Sequence, residues 1–330
     1  MNIHDIYISK IVKEKLHGEL LESHEIKGGH SGFVYIIDVD LGSKIKKFIV
    51  KLSKKIGADF LQLERPEQRV YGGRSVSFKS SFDLLINSNI KTFKLLSCGL
   101  PTEDIPYFHQ LISKLEGYSL REYLVLDNYP NREDLLRLSG MEFGKLNQIT
   151  RSYDGWANQK DPYLTKWKNS FFLALEIRLD HLINNKYLSK EEIKKINIFI
   201  LNKKKKWTDP KEYVFSHVDG IQGMVDYIDS EWVFNGHIDL EDYRFTDQRF
   251  VLAGLEIGAN YSIDSISNSF WDGYLKFKKV DKSFNDLKDL FKLYYFMSWI
   301  QMTDEGLNNI KLSSKINKNY INKIIAIISK

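Results

Sequence analysis

Cysteine is almost missing from this 330-residue chain, where Cys98 stands alone. A single thiol excludes an intramolecular disulfide and any metal centre built on several cysteines. It fits a reducing compartment, and a cytoplasmic protein is the expectation. Proline is scarce, at six residues, which excludes Pro-rich linkers. No apolar run approaches the roughly 18 residues that a membrane-spanning helix needs. The opening Met1-Asn2-Ile3-His4-Asp5 lacks the basic region and apolar stretch of a secretory signal, so none is expected. Charge of one sign is not in large excess: 48 Lys and Arg stand against 43 Asp and Glu, a net +5. That is too mild to point to nucleic acid or to a membrane surface. No Gly-x-Ser-x-Gly elbow occurs, which removes the common serine-hydrolase reading. His24, His30, His109 and His237 show no zinc-ligand spacing.

What is present is an ordinary globular composition, 43% hydrophobic and 28% charged, with apolar surface enough to offset chain entropy. Aromatics reach 13%, so cores or pockets should be rich in rings. The length exceeds the roughly 250–300 residues at which one core stops growing, so two lobes are expected. Residues 1–25 read as a short amphipathic helix leading into a strand, with Ile8, Ile11, Val12 and Leu16 at helical spacing. Lys27-Gly28-Gly29-His30-Ser31-Gly32 is a turn signal, followed by β-rich runs at Phe33–Val39 and Phe48–Leu52. Residues 74–89 read as a helix, and 93–96 and 108–115 as strands. From Leu120 the period turns helical, with helices expected near 132–148, 163–187, 190–206, 260–279 and 282–302. Between them, 213–240 holds short β-rich pieces joined by Asp- and Gly-rich turns. No internal repeat stands out. Lys203-Lys204-Lys205-Lys206 reads as a solvated helix end, where cations meet the negative end of the dipole.

The densest polar chemistry lies in that 213–240 stretch. Two carboxylates, Asp219 and Asp239, stand 20 residues apart, each beside a short apolar run. Phosphoryl transfer needs such a pair: one carboxylate to orient an attacking hydroxyl and take its proton, another to hold the magnesium that bridges nucleotide phosphates. It also needs a lysine for the phosphates. Lys51 ends a β-rich run that follows the glycine turn by about one hairpin, the arrangement wanted of a phosphate-covering loop with a lysine beneath it. The glycine cluster lacks the Lys-Ser/Thr ending of a P-loop.

In these motifs the chain resembles the aminoglycoside phosphotransferase and choline kinase family, which shares the protein-kinase-like fold. The family's His-Gly-Asp-Leu-His-x-x-Asn loop is matched by His217-Val218-Asp219-Gly220-Ile221-Gln222-Gly223-Met224, and its Ile-Asp-Phe metal motif by Ile238-Asp239-Leu240. A late Gly-Tyr pair is matched by Gly273-Tyr274, and the interlobe segment by Leu115-Glu116-Gly117-Tyr118-Ser119-Leu120. The similarity runs over roughly residues 20–300. It implies a two-lobe α+β fold: an antiparallel-sheet N-lobe over 1–115 and a larger, mostly helical C-lobe over 116–330. It implies ATP and Mg²⁺ as cofactors, bound in the cleft near Glu116 and Gly117. Asp219 is then the catalytic base, with His217 in the same loop. Lys51 binds the α/β-phosphates, Gly28, Gly29 and Gly32 let the loop approach them, and Asp239 ligates magnesium. The implied partner is a small molecule carrying a hydroxyl acceptor, with no nucleic acid and no membrane.

The chain also departs from the family. Met224 stands where the family has a metal-binding Asn, and a thioether suits magnesium poorly. Gln222 is the nearest candidate for a second metal ligand, with Asp226 and Glu241 as other donors. Ile221 replaces the second His. The helix that should supply a glutamate to Lys51 shows Val76, Ser77, Phe78 and Lys79 there, with Glu64 and Glu67 upstream, and Val251 occupies a later acidic position. Two functional readings follow. One is an ATP-dependent phosphotransferase acting on a small-molecule hydroxyl, with Glu241, Asp242, Asp247, Glu256 and Asp272 as an acidic group that could favour a cationic amine or amino sugar. The other is a pseudokinase that binds a nucleotide or a protein partner. Trp232, Trp271 and Tyr274 suit either a pocket or a core.

Overall fold

The computed structural model describes residues 2–26, 32–53, 73–120, 123, 130–163, 165–217, 220–257, 267–306 and 310–329. Helix α1 (Ile3–Leu16) begins with a capping box between Asn2 and Asp5 and buries Ile8, Ile11 and Val12. Strands β1 (Glu19–Ile26), β2 (Gly32–Asp40), β3 (Ile45–Ser53), β4 (Leu95–Gly99) and β5 (Phe108–Ser113) form one antiparallel sheet in the order β1-β2-β3-β5-β4. The two-residue period of β2 and β3 turns Tyr35, Ile37, Val39, Phe48, Val50 and Leu52 onto α1. The opposite face packs Phe108 and Ile112 with Phe78 and Leu85 of helix α2 (Gly73–Asn87). Lys51 lies between Val50 and Leu52, so the same period aims it away from the α1 core. Gly32 opens β2 opposite Ser53, and a Cβ there would lie 2.5 Å from the Leu52 carbonyl oxygen. Its bareness answers to the neighbouring strand.

A two-residue strand, β6 (Tyr118–Ser119), leads into the helical part: α3 (Arg132–Leu146), α4 (Trp167–Asn184), α5 (Lys190–Lys205), α6 (Gln248–Glu256), α7 (Asn268–Tyr274), α8 (Phe284–Gly306) and α9 (Ile310–Ile328). Their core is aromatic, as the composition suggests. Phe250 stacks on Tyr295 at 4.7 Å, and Phe171 on Trp207 at 5.4 Å. Trp232 and Tyr274 are buried in this core and Trp271 packs against it, so all three rings serve packing. Helices α3 and α7 meet backbone to backbone. A Cβ on Gly140 would lie 2.0 Å from the Phe270 carbonyl oxygen, and one on Gly273 would lie 2.0 Å from that of Arg137. The lysine run ends α5 as expected: Lys203 donates to the Asp286 carbonyl at 2.6 Å, and Lys206 approaches the Asp286 carboxylate at 3.6 Å.

Short strands carry the chemistry-bearing stretch. Strands β7 (Thr150–Arg151), β8 (Gly155–Trp156), β9 (Tyr213–His217) and β12 (Tyr243–Thr246) form a sheet ordered β7-β9-β12-β8. Strands β10 (Gly223–Ile228) and β11 (Glu231–His237) form a hairpin that β6 extends. Phe215, Leu240, Tyr243 and Phe245 from this region join Phe78, Phe93 and Phe108 in one buried cluster. That cluster clamps the first sheet and α2 onto the segment that begins at Asp239. The fold is the two-lobe, protein-kinase-like α+β arrangement, with an antiparallel N-terminal sheet and a mostly helical remainder. The helix read near 260–279 spans Asn268–Tyr274 among the described residues. Helices α6 and α9 add to those read from the sequence.

Candidate active site

The link from residues 90–92 to the end of β11 sets the position of Asp239. Thr92 bridges to His237, its hydroxyl donating to the His237 carbonyl at 2.8 Å, while the His237 amide donates to the Lys91 carbonyl at 2.9 Å. Just before it, Gly236 has φ 155° and no room for a Cβ, because Thr92 Cα would lie 2.9 Å away. The buried His237 ring bonds the Tyr243 hydroxyl through Nδ1 at 2.9 Å, and burial pushes its pKa down to about 3, so it is a neutral structural ring. Asp239 then adopts a left-handed conformation, φ 60° and ψ 45°, before the 3₁₀ turn Leu240–Asp242. Non-glycine residues take this region at a cost, and such residues concentrate at functional sites.

That conformation brings the Asp239 carboxylate to Lys51, whose Nζ donates to Oδ1 at 2.6 Å across 188 residues of sequence. The Glu241 carboxylate reaches the same ammonium group. Lys51 is 14% exposed and Glu241 8%. Burial alone would lower the Lys51 pKa, but the two carboxylates outweigh it and hold the amine charged, above its ordinary value. For Asp239, burial pushes the carboxyl up, while Lys51 and then His217 pull it well below the ordinary carboxylate range. His217, the buried last residue of β9, places Nε2 3.6 Å from Asp239 Oδ2. His217, Asp239 and Asp242 each offer a ligand atom, all within 4.8 Å of one another. The structure thus brings together Lys51, Asp239 and His217.

The interlobe segment is anchored beside it. Gly117 has φ +88°, and a Cβ there would lie 2.2 Å from the Val225 carbonyl oxygen, so glycine is required on both counts. Asn235 donates to the Glu116 carbonyl at 2.9 Å, while the Glu116 side chain faces water and pairs with Lys114 at 2.9 Å. The Gln222 carbonyl accepts from the Ile238 amide at 3.2 Å, tying the two motif segments together. Met224 lies in β10 opposite Ser119. Asp219, Gly28 and Gly29 lie outside the described residues, as do Glu64 and Glu67. The five acidic residues that the sequence groups together do not form one free cluster. Asp247 pairs with Arg249 at 2.6 Å, Glu256 with Lys292 at 2.6 Å, and Glu241 with Lys51.

From the sequence, Glu241 is expected only as a possible metal donor and a member of the acidic group, Asp242 only as a member of that group, and Asn235 has no expected role. The signal that could have marked the first two is the run Asp239-Leu240-Glu241-Asp242, three acids in four residues directly after a strand.

No protein-family model matches the chain, and no curated protein matches it in sequence. Solved structures do match its fold, small-molecule kinases among them. A protein from Haemophilus somnus 129PT described as a fructosamine-3-kinase superposes with a TM-score of 0.59 at 13% identity, covering 96% of each chain. An aminoglycoside phosphotransferase solved with GDP and kanamycin superposes at 0.61, with 12% identity over 98% of this chain and 97% of the other. A spectinomycin phosphotransferase solved with ADP and spectinomycin gives 0.61, at 12% identity over 97% of both chains. Among the described residues, no helix is long and apolar enough to cross a membrane.

Proposed function

We propose that the protein is an ATP-dependent phosphotransferase that moves the γ-phosphoryl group to a hydroxyl of a small molecule. The observation that carries the reading is the ion pair between Lys51 of β3 and Asp239, two residues past β11. It joins the two elements that the reaction needs on either side of a nucleotide. In this reading Asp219 orients the acceptor hydroxyl and takes its proton, and Lys51 turns from Asp239 to the phosphate oxygens. Glu116 and Gly117 flank the base in the interlobe segment, and Gly28, Gly29 and Gly32 border the phosphates.

A divalent cation fits the donor set. Asp239 and Asp242 offer the carboxylate oxygens that magnesium prefers, with His217 beside them and Gln222 as an amide candidate. When bound, the cation neutralises charge on the transferring group. A cationic amine or amino sugar as acceptor is supported by what the aminoglycoside kinases of the same fold bind. Asp247 and Glu256 do not supply its site, because their charges are already met.

Thermal melting with ATP, with and without Mg²⁺, tests the reading. Ligand at 100 times its Kd adds about 2.7 kcal/mol. At about 0.7 kcal/mol per degree for 330 residues, that raises the Tm by about 4 °C. The rise should need Mg²⁺ and vanish in Asp239→Asn, after which hydroxylated amines are screened for acceptor-dependent ADP release. No shift with millimolar Mg-ATP or Mg-GTP would overturn the proposal and favour a protein partner.

A further inference from the structure

Among the described residues Lys51 has two carboxylate partners, Asp239 and Glu241, and they play different parts. Asp239 is 36% exposed, the more accessible of the two. Glu241 is 8% exposed and lies in the 3₁₀ turn against which α2 packs. The helix expected to supply the lysine's partner carries one acidic residue, Asp83, and that is engaged by Lys79 on the helix surface at 2.5 Å. We infer that Glu241 is the positioning residue of Lys51, taking the place of a helix glutamate and holding the ammonium group in the cleft when Asp239 turns to a metal–nucleotide complex. The inference rests on the phosphotransferase reading for its purpose, but the pairing itself belongs to the ligand-free protein.

A buried ammonium group needs a counter-charge in every state of the site. If Asp239 were the sole partner, each arrival of metal at Asp239 would strand Lys51, and the lysine would compete with the cation. A second, enclosed carboxylate removes that competition. Because Glu241 is two residues from Asp239, lysine and metal ligand are then positioned by one short turn. The orientation of α2 no longer decides whether the lysine is in place.

Two measurements on the full chain test this. The first is a double-mutant cycle on thermal stability without ligand, using Lys51→Met, Glu241→Gln and the double variant. Parallel cycles pair Lys51→Met with Glu64→Gln and with Glu67→Gln. The second is binding of a fluorescent ADP analogue, without metal, to the native protein, Lys51→Met, Glu241→Gln and Glu241→Asp.

The expected result is non-additivity in the Glu241 cycle alone, the double variant melting no lower than the worse single variant. Nucleotide affinity should fall at least fivefold in Glu241→Gln and recover substantially in Glu241→Asp. Additive Glu241 effects, or coupling to Glu64 or Glu67 instead, would overturn the pairing. Coupling with unchanged nucleotide affinity would reduce Glu241 to a structural ion pair and overturn the positioning role. If the native protein binds no nucleotide, the phosphotransferase reading and the positioning role both fall, while the cycle still decides the pairing.

Discussion

Replacing Asp247 with Asn should cost more stability than any surface change, for reasons visible in the structure. Asp247 and Arg249 are 0% and 1% exposed, and their charges meet through three contacts, Nη2–Oδ2 at 2.6 Å, Nε–Oδ1 at 2.9 Å and Nε–Oδ2 at 3.2 Å. Asp247 also caps α6 by accepting from the Arg249 amide at 2.9 Å. Asn keeps the shape and the cap but removes the charge. Stranding one partner of a buried pair costs about 3–5 kcal/mol. Arg249 keeps the Thr208 carbonyl at 2.9 Å and the Ser283 hydroxyl at 2.7 Å, which favours the lower part, about 3–4 kcal/mol. At about 2.1 cal/mol/K per residue, the 330-residue chain loses about 0.7 kcal/mol per degree, so calorimetry should show a Tm about 4–6 °C lower. If the helical lobe melts alone, with about 200 residues, the drop grows to about 7–10 °C. Adding Arg249→Met to Asp247→Asn removes the stranded cation, so the double variant should melt above Asp247→Asn. A drop no larger than an exposed pair gives, about 1 °C or less, would refute the reasoning.

Other outcomes follow from single contacts. His237 is fully buried with its pKa pushed down to about 3, so below about pH 6.5 the unfolded chain binds a proton that the folded chain does not. Stability should therefore fall on acidification from pH 7 toward 5, by up to about 1.4 kcal/mol per pH unit from this group. Urea unfolding of His237→Gln should show a flatter slope, and equal slopes would count against the assignment. Asp242→Asn should abolish the Mg²⁺-dependent part of the nucleotide-induced Tm rise, while Met224→Leu should leave it intact; the reverse order would put the cation elsewhere. Gly273→Ala places a Cβ 2.0 Å from the Arg137 carbonyl oxygen. Its overpacking cost of about 1–3 kcal/mol should exceed the roughly 1 kcal/mol gained in helix propensity, and a raised Tm would refute the close crossing.

The strands and most helices are legible in the sequence because they are amphipathic. Strand β3 shows it well: Phe48, Val50 and Leu52 alternate with residues of the other face, and that alternation also aims Lys51 into the cleft. Helix α6 is illegible for the opposite reason. Every residue from Gln248 to Leu255 is buried, Arg249 by its ion pair, so no polar face marks a helical period. That Lys51 and Asp239 belong to one site is legible as two motif positions that one mechanism requires, but their direct pairing is not. Glu241 is not, because its role comes from a left-handed residue and a 3₁₀ turn that fold the chain back on itself. Local sequence gives acids in that turn no preferred direction. Asn235 escapes for a similar reason, since its bond to the Glu116 carbonyl spans 119 residues.

The same contacts argue about what Met224 costs the site. Met224 is fixed in β10, where its neighbour Val225 abuts Gly117, so the strand carrying it also forms the seat of the interlobe segment. A donor lost there need not be restored there. The Asp239–Asp242 turn follows β11, the strand paired with β10, and it is held by contacts of Thr92, His237 and Tyr243 in which the Met224 side chain takes no part. With Glu241 on the lysine and Asp242 beside His217 and Asp239, that turn supplies a counter-charge and a second carboxylate from four consecutive residues. Losses at Met224 and in α2 then have one common remedy, and the phosphotransferase reading requires no family residue at either place. Transplanting Asp239-Leu240-Glu241-Asp242 is therefore the change that should matter. Replacing Glu241 and Asp242 together with Gln and Asn should remove Mg-nucleotide stabilisation completely, whereas Met224→Asn in that background should not restore it. Restoration by Met224→Asn would show that the missing donor belongs in β10 after all.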